Sequence, residues 1–254
     1  MSEEVLRVQN LKKSFGGIRV LEDVDFSLRK GEFKTIIGPN GAGKTTIYNI
    51  VSGVMKPTSG KIFCKGQDIT GLPPYKIANL GLSRSFQITN LFPDLTVLEN
   101  VRIAAQAKGK DSLKILLDYK HFKNYFETAN KILTMVHLTG KEDLLAKDLS
   151  HAEKRKLEMG ILLAMGGDIL LFDEPTAGLS AEEVPELFKI IEEIKDTKEK
   201  SILLIEHKIN IILGISDTIA VLQNGVLIGD DTPEKIQQNQ AVQDAYFGGG
   251  AVLG

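Results

Sequence analysis

A glycine-rich loop between a strand pattern and a helix pattern restricts the fold of this chain more than any other feature. The segment Phe33–Ile37, which contains three apolar residues and follows Lys30-Gly31-Glu32, is typical of a strand. The eight residues that follow it fit the pattern G-x-x-x-x-G-K-[ST], and they are Gly38, Pro39, Asn40, Gly41, Ala42, Gly43, Lys44 and Thr45, with Thr46 directly after them. Apolar residues then recur at helical spacing, at Ile47, Tyr48, Ile50 and Val51. Strand, loop and helix in this order predict a phosphate-binding loop.

The residue types of this loop indicate a nucleotide site. Glycines let backbone N–H groups surround an anion, and the following helix presents the positive end of its dipole. We expect Lys44 to reach the β- and γ-phosphates of ATP and the Thr45 hydroxyl to hold Mg²⁺, which prefers oxygen ligands. The plain alternative is a glycine-rich turn before a helix, with Lys44 in solvent.

A second strand pattern, at residues 169–172, ends in the adjacent acids Asp173 and Glu174. Neighbouring side chains on a strand point in different directions, so the two acids can have different roles. We expect Asp173 to hold the hydration shell of Mg²⁺ and Glu174 to act as general base on the water that attacks the γ-phosphate. Two solvated acids in a turn would be the alternative. Together with the phosphate loop, the pair predicts ATP hydrolysis rather than binding alone.

Composition argues against several other classes of protein. The 254 residues carry a formal net charge of −2 without a dense Lys/Arg block, so we expect no nucleic-acid partner. The single Cys64 cannot form an internal disulfide and the N-terminus has no signal-peptide pattern, so we expect a reducing cytoplasm. Because every apolar run is far shorter than roughly 18 residues, we also expect no membrane span.

The order of patterns along the chain predicts an α/β fold with a mixed core sheet. Residues 5–28 alternate in short β-prone runs, which predicts an antiparallel β region at the N-terminus. Helical spacing dominates residues 96–166, whereas strand and helix patterns alternate from residue 169 and a hairpin crosses Asn224-Gly225. We expect one domain, with core residues 1–88 and 167–254 and an inserted helical lobe at about residues 89–166.

With these motifs in this order, residues 6–248 resemble the nucleotide-binding subunit of ABC transporters. The resemblance implies a P-loop NTPase fold of ABC type, and it implies three further site residues. Gln87 resembles the Q-loop glutamine that contacts Mg²⁺ and the attacking water. His207 resembles the switch histidine that contacts the γ-phosphate, and Phe15 resembles the A-loop aromatic that stacks on adenine. Taken alone, Phe15 would more often be a core residue and His207 a structural one.

Residues 149–153 stand where the family has its signature, LSGGQ, and depart from it. Ser150 is retained, His151 and Ala152 replace the two glycines, and Glu153 replaces glutamine. In the family this segment covers the γ-phosphate that the opposite subunit binds. The resemblance therefore implies that Ser150, His151 and Ala152 contact a nucleotide shared with that subunit. If the replaced glycine needs a positive φ, Ala152 strains the segment by about 1–2 kcal/mol and slows hydrolysis there.

The resemblance also implies partners and a location. Two ATPase subunits pair head to tail, identical or paralogous, and separate membrane-spanning permease subunits dock near residues 87–98. Four segments resemble the importers of branched-chain amino acids and their urea-importing relatives, and they are residues 153–158, 177–179, 206–207 and 245–248. The helical stretch at residues 102–138 is similar to the larger of the two ATPases in those systems. The implied location is the cytoplasmic, inner face of the membrane.

Two other functions stay open at this point. A soluble ABC-type ATPase acting on DNA or ribosomes would predict a long coiled-coil insertion or a second ATPase domain, and these 254 residues contain neither. A nucleotide-binding subunit with one degenerate site is suggested by His151 and Ala152. Lys44, Asp173, Glu174 and His207 argue against loss of hydrolysis at the site on this chain, but not at the partner site.

Overall fold

The computed structural model describes residues 3–85, 91–107, 123–207 and 209–247. Strands in these residues form two sheets. The first contains β1 (Glu4–Phe15), β2 (Ile18–Arg29), β4 (Ser59–Cys64) and β5 (Gln67–Asp68). The second contains β3 (Phe33–Ile37), β6 (Leu82–Arg84), β7 (Ile169–Asp173), β8 (Ser201–Ile205), β9 (Thr218–Gln223) and β10 (Val226–Asp231).

The pairing of these strands confirms the predicted mixed α/β architecture. The four-stranded sheet has the order β2-β1-β4-β5, and its pairs are all antiparallel. The six-stranded sheet has the order β10-β9-β3-β8-β7-β6. Strands β9, β3, β8, β7 and β6 run parallel, and β10 returns antiparallel to β9 across the predicted Asn224-Gly225 turn.

The helices fall into those that cover the sheet and those that pack with one another. The described helices are α1 (Lys44–Val51), α2 (Pro74–Asn79), α3 (Val97–Ala107), α4 (Lys123–Met135), α5 (His151–Ala164), α6 (Val184–Asp196), α7 (Ile209–Ile215), α8 (Pro233–Gln238) and α9 (Gln240–Phe247). Helices α3, α4 and α5 contact each other, and α4 also contacts α6. Their apolar stripes follow the predicted spacing, since Ala129, Ile132 and Leu133 of α4 are buried.

The two faces of the parallel sheet are buried against different elements. On β7, Leu170 and Phe172 face a cluster that includes α3, α4, α5 and α6, whereas Ile169 and Leu171 face a cluster with α1 and the antiparallel sheet. Burial on both faces of the sheet explains why residues 169–172 of β7 and 202–205 of β8 are uniformly apolar. Among the described helices, none combines the length and apolar character that a bilayer crossing requires.

This arrangement brings three predicted motifs to one edge of the sheet. Strand β8 lies between β3 and β7. Because the three strands are parallel, their carboxyl ends meet at the same edge. The phosphate loop follows β3, Asp173 and Glu174 end β7, and His207 follows β8.

Candidate functional site

The phosphate loop depends on glycine at two positions. Gly43 caps α1 with φ of 107°, and a side-chain carbon there would lie 2.7 Å from Leu21 Cδ2. Gly38 is buried, and a side-chain carbon on it would collide with the carbonyl oxygen of Leu222. Packing by the neighbouring strands therefore fixes the path of the loop. The first N–H groups of α1 have no partner within the helix, so they are suited to bind an anion.

Lys44 is held inside the loop rather than in solvent. Its ammonium group donates to the carbonyl oxygens of Gly38 at 2.6 Å and Pro39 at 3.1 Å, and the residue is only 5 % exposed. Burial lowers the pKa of Lys44, while the negative charges of Glu174, Asp173 and Glu206 oppose that shift. The alternative of a solvated lysine in a plain turn is wrong.

Asp173 is a buried acid with unused oxygens. It is 9 % exposed, and neither carboxylate oxygen has a hydrogen-bond partner in the described part of the chain. Burial raises the pKa of Asp173 to about 6, and the neighbouring charge of Glu174 adds to the shift, against Arg84 and Lys44. The site therefore favours a positive charge at these oxygens.

The chemistry of this acid fits Mg²⁺. A buried carboxylate without partners is costly unless a cation or its water ligands contact it. Thr45, in the first turn of α1, supplies a hydroxyl, and carboxylate and hydroxyl oxygens are ligands that Mg²⁺ prefers. Within the described ranges no three His, Cys, Asp or Glu side chains converge as a metal-binding group. Asp173 and Thr45 would thus hold the ion together with water and nucleotide phosphates.

Glu174 and His207 lie together at the ends of β7 and β8. The distance from His207 Nδ1 to Glu174 Oε1 is 3.9 Å, and both side chains are partly open to solvent. Glu174 has φ of 45°, and its amide donates to the Ile205 carbonyl at 2.9 Å. Non-glycine residues rarely adopt this conformation, and such strain is typical of functional sites. Because Glu174 and His207 are close to each other and accessible to solvent, both side chains can act on the same phosphate group.

Of the two predicted site residues Phe15 and Gln87, the structure describes only Phe15. Phe15 is 46 % exposed, with Lys13 Nζ 4.8 Å from the ring centroid, so the alternative that Phe15 is an ordinary core residue is wrong. A partly open aromatic face is available for stacking. Gln87 lies outside the described residues, and its roles as Mg²⁺ ligand and catalytic residue stay predictions.

The altered signature forms the start of α5 without strain. Ser150 is the N-cap: its hydroxyl accepts from the Glu153 amide at 3.3 Å, and Glu153 Oε2 accepts from the Ser150 amide at 2.9 Å. This capping box accounts for glutamate at position 153. His151 and Ala152 belong to α5, and neither has a positive φ. The condition under which Ala152 would strain the segment is therefore not met.

The phosphate loop and the signature occupy different parts of the molecule. Helix α1, which follows the loop, packs on β2, β7 and β8, whereas α5, which follows the signature, packs on α3 and α4. The structure thus gathers Lys44, Asp173, Glu174 and His207 at one sheet edge, and places Ser150 in the helical part of the chain.

Several residues of the site were missed by sequence reasoning. The Tyr48 hydroxyl bonds to the Ser85 carbonyl, and Ser85 Oγ accepts from the Asp173 amide at 3.3 Å. Burial raises the pKa of Tyr48 to about 12, so the hydroxyl keeps its proton as a donor. Glu206, beside His207, is fully buried and bonds to Thr176. A charged residue after a buried strand was the available signal for Glu206.

Comparison with known proteins is consistent with this geometry. The sequence model of the ABC transporter family matches residues 21–177. The high-affinity branched-chain amino acid transport ATP-binding protein LivG of Escherichia coli strain K12 is 37 % identical over 253 residues, covering 98 % of this chain and 99 % of LivG. The probable branched-chain amino acid transport ATP-binding protein LivG of Archaeoglobus fulgidus is 35 % identical, covering 96 % of each chain.

A solved structure resembles the whole chain. The crystal structure of the ADP conformation of MJ1267, an ATP-binding cassette of an ABC transporter, superposes with a TM-score of 0.83. It is 30 % identical in sequence and covers 96 % of this chain and 99 % of its own. This similarity agrees with the fold of both sheets and of the helices.

Proposed function

Because the chain belongs to the ABC transporter family of ATP-binding subunits, we propose that it hydrolyses ATP to drive uptake of branched-chain amino acids through separate permease subunits. The observation that carries this proposal is the meeting of Lys44, Asp173 and Glu174 at one edge of the sheet, where the parallel strands β3 and β7 end on either side of β8. The solute follows from relatives that are 37 % and 35 % identical over nearly the full chain.

Each group at the sheet edge has a role in this reaction. Lys44 and the first amides of α1 bind the phosphates, with Phe15 stacking on the adenine. Glu174 takes a proton from the attacking water, and His207, in contact with Glu174, donates a hydrogen bond to the γ-phosphate. Asp173 and Thr45 would hold Mg²⁺, which would supply neutralisation of the phosphate charge.

The head-to-tail pairing of two such subunits is part of the proposal. The capping box uses the amides of Ser150 and Glu153. The amides of His151 and Ala152, at the start of α5, have no partner within the helix and suit the γ-phosphate of a nucleotide bound by another subunit. The separate packing of α1 and α5 supports a site completed by a second chain. That chain is a second copy or a paralogue, and it lies with this one at the cytoplasmic face of the membrane.

Permease docking near residues 87–98 is supported by one exposed aromatic residue. Phe92 is 52 % exposed although its backbone is held on both sides by the buried Asn100, at 2.8 Å and 3.1 Å. A rigidly presented apolar side chain is typical of a protein contact surface.

The solute is tested by uptake into vesicles. The chain is reconstituted with its permease subunits and a second ATPase subunit in proteoliposomes, and ATP-dependent accumulation of labelled leucine and of labelled urea is compared. We expect leucine uptake that Glu174→Gln abolishes. Uptake of urea alone would assign the urea-importing branch, and absence of any coupled uptake would contradict the transport function.

A further inference from the structure

Glu206 is a buried acid at the same edge of the sheet, directly before His207. It follows β8, the strand between the phosphate-loop strand β3 and the acidic strand β7. Its amide donates to the Ile36 carbonyl at 3.4 Å, and its side chain is fully buried. Burying a carboxylate costs free energy unless its oxygens are hydrogen-bonded. The hydrogen bonds of Glu206 therefore indicate its role.

The two oxygens of this carboxylate bind donors on two different segments. Oε1 accepts a hydrogen bond from the Thr176 hydroxyl, and Oε2 accepts from the His207 amide at 2.8 Å. The His207 ring is close as well, with Nδ1 3.5 Å from Oε2. Glu206 therefore joins the turn after β7 to the segment after β8.

Both donors lie next to groups that act on the nucleotide. His207 follows Glu206 directly, and Thr176 is two residues beyond Glu174. Glu174 has the strained φ of 45°, and its carbonyl accepts from the Ala177 amide at 3.0 Å within the same turn. Strained backbone persists only where surrounding contacts hold it. The bond from Thr176 to Glu206 is a side-chain contact that ties this turn to β8.

We propose that Glu206 is a positioning residue of the ATPase site, whose hydrogen bonds to Thr176 and to the His207 amide set the placement of Glu174 and His207 for hydrolysis. In this proposal Glu206 acts through its two hydrogen bonds and not through its charge. Substitutions that remove a bond therefore slow the hydrolytic step and leave nucleotide binding, which depends on Lys44 and the phosphate loop, nearly unchanged.

Two pairs of variants distinguish the effect of the hydrogen bonds from the effects of the charge of Glu206 and of side-chain packing. In Glu206→Gln the amide oxygen can accept from the His207 amide while the NH₂ group donates to the Thr176 hydroxyl oxygen, so both contacts are kept without the charge, whereas Glu206→Leu removes both at similar size. Thr176→Ser retains the hydroxyl, whereas Thr176→Val removes it with little change in shape. All four, and the double variant Glu206→Leu/Thr176→Val, are measured in the full chain for kcat, KM, ATP affinity and thermal unfolding.

We expect Thr176→Val and Glu206→Leu to lower kcat by about ten-fold or more, with ATP affinity within about three-fold of wild type. Thr176→Ser and Glu206→Gln should retain most of kcat. Because the bonds act together, adding Thr176→Val to Glu206→Leu should lower kcat by less than about two-fold further.

The inference rests on the proposed function, and the outcomes keep the two apart. If wild type, with its partner ATPase subunit and permease subunits present, binds ATP without hydrolysing it, the proposed function fails. If wild type hydrolyses ATP and Thr176→Val matches Thr176→Ser, the positioning role is overturned. Equal loss in Glu206→Gln and Glu206→Leu would also overturn it, in favour of a role for the charge. Should Glu206→Leu not fold, the two Thr176 variants still decide.

Discussion

The imidazole of His151 lies against Gly178, so close that a methyl group on Gly178 would be 3.0 Å from Cε1. One turn further along α5, Arg155 Nη2 donates to the Ala177 carbonyl at 3.5 Å. The start of α5 therefore packs on residues 177–178, which follow Glu174. His151, a departure from the family signature, contacts its own chain at this point.

Gly178→Ala tests this contact. Gly178 has φ of 79°, so the substitution costs backbone strain of about 1–2 kcal/mol and also displaces His151. We expect a lower free energy of unfolding, part of which returns when His151→Ala is added. Gly140→Ala is the matched control, since Gly140 has φ of 84° with open space around it. A loss in Gly178→Ala no larger than in this control would refute the packing of His151 on Gly178.

Gly43→Ala should damage ATP binding. The substitution strains the N-cap of α1 and drives a methyl group into Leu21, so the loop must shift away from the path that binds phosphate. We expect the Kd for ATP to rise by about ten-fold or more in isothermal titration calorimetry. Gly66→Ala, at φ of 78° with no close neighbour, serves as control and should keep wild-type affinity. Unchanged affinity in Gly43→Ala would exclude this loop as the nucleotide site.

Asp173 predicts how stability changes with pH in the absence of Mg²⁺ and nucleotide. Its pKa in the folded state is raised from 3.8 to about 6, so the unfolded chain ionises it more readily. Well below pH 3.8 the carboxyl is protonated in both states and has no effect on stability. As pH rises to about 6, the group lowers the free energy of unfolding by at most about 3 kcal/mol.

The comparison with Asp173→Asn isolates that effect. The stability difference between the variant and wild type, from urea unfolding at several pH values, should grow in favour of the variant from pH 4 to about 6. A difference that is constant over this range would contradict the raised pKa.

Ala152→Gly should give no gain in hydrolysis. Ala152 lies in the first turn of α5 without a positive φ, so glycine relieves no strain and lowers helix stability by up to about 1 kcal/mol. We expect steady-state ATPase activity within about three-fold of wild type. An increase of ten-fold or more would mean that alanine restrains this segment in the assembled state.

Local patterns predicted the elements that carry the chemistry. The strands before Gly38 and ending at Asp173 are short, apolar and followed by distinctive residues, so periodicity and motif together located them. The short strands β4 and β5 were not predicted, because their polar residues, such as Gln67 and Asp68, show no alternation that sequence alone can interpret.

Contacts between distant residues could not be predicted in the same way. Thr176 and Glu206 are 30 positions apart and meet only because β7 and β8 pair in one register. The S-x-x-E pattern of a capping box is present at Ser150 and Glu153. It was not predicted, because this segment was interpreted only as a family signature that lacks its two glycines. The division into a core and an inserted lobe at residues 89–166 stays a prediction.

The most direct test of an ATP-hydrolysing site shared between two subunits is steady-state ATPase activity as a function of protein concentration, for wild type and Glu174→Gln, with dimer formation followed in Mg²⁺ and ATP. We expect wild-type activity per subunit to rise with concentration, and Glu174→Gln to lose at least about a hundred-fold in kcat while forming an ATP-bound dimer. If the partner is a paralogue, the same result is expected on adding that subunit. Wild-type activity retained in Glu174→Gln, or independent of concentration and of any partner, would contradict the account.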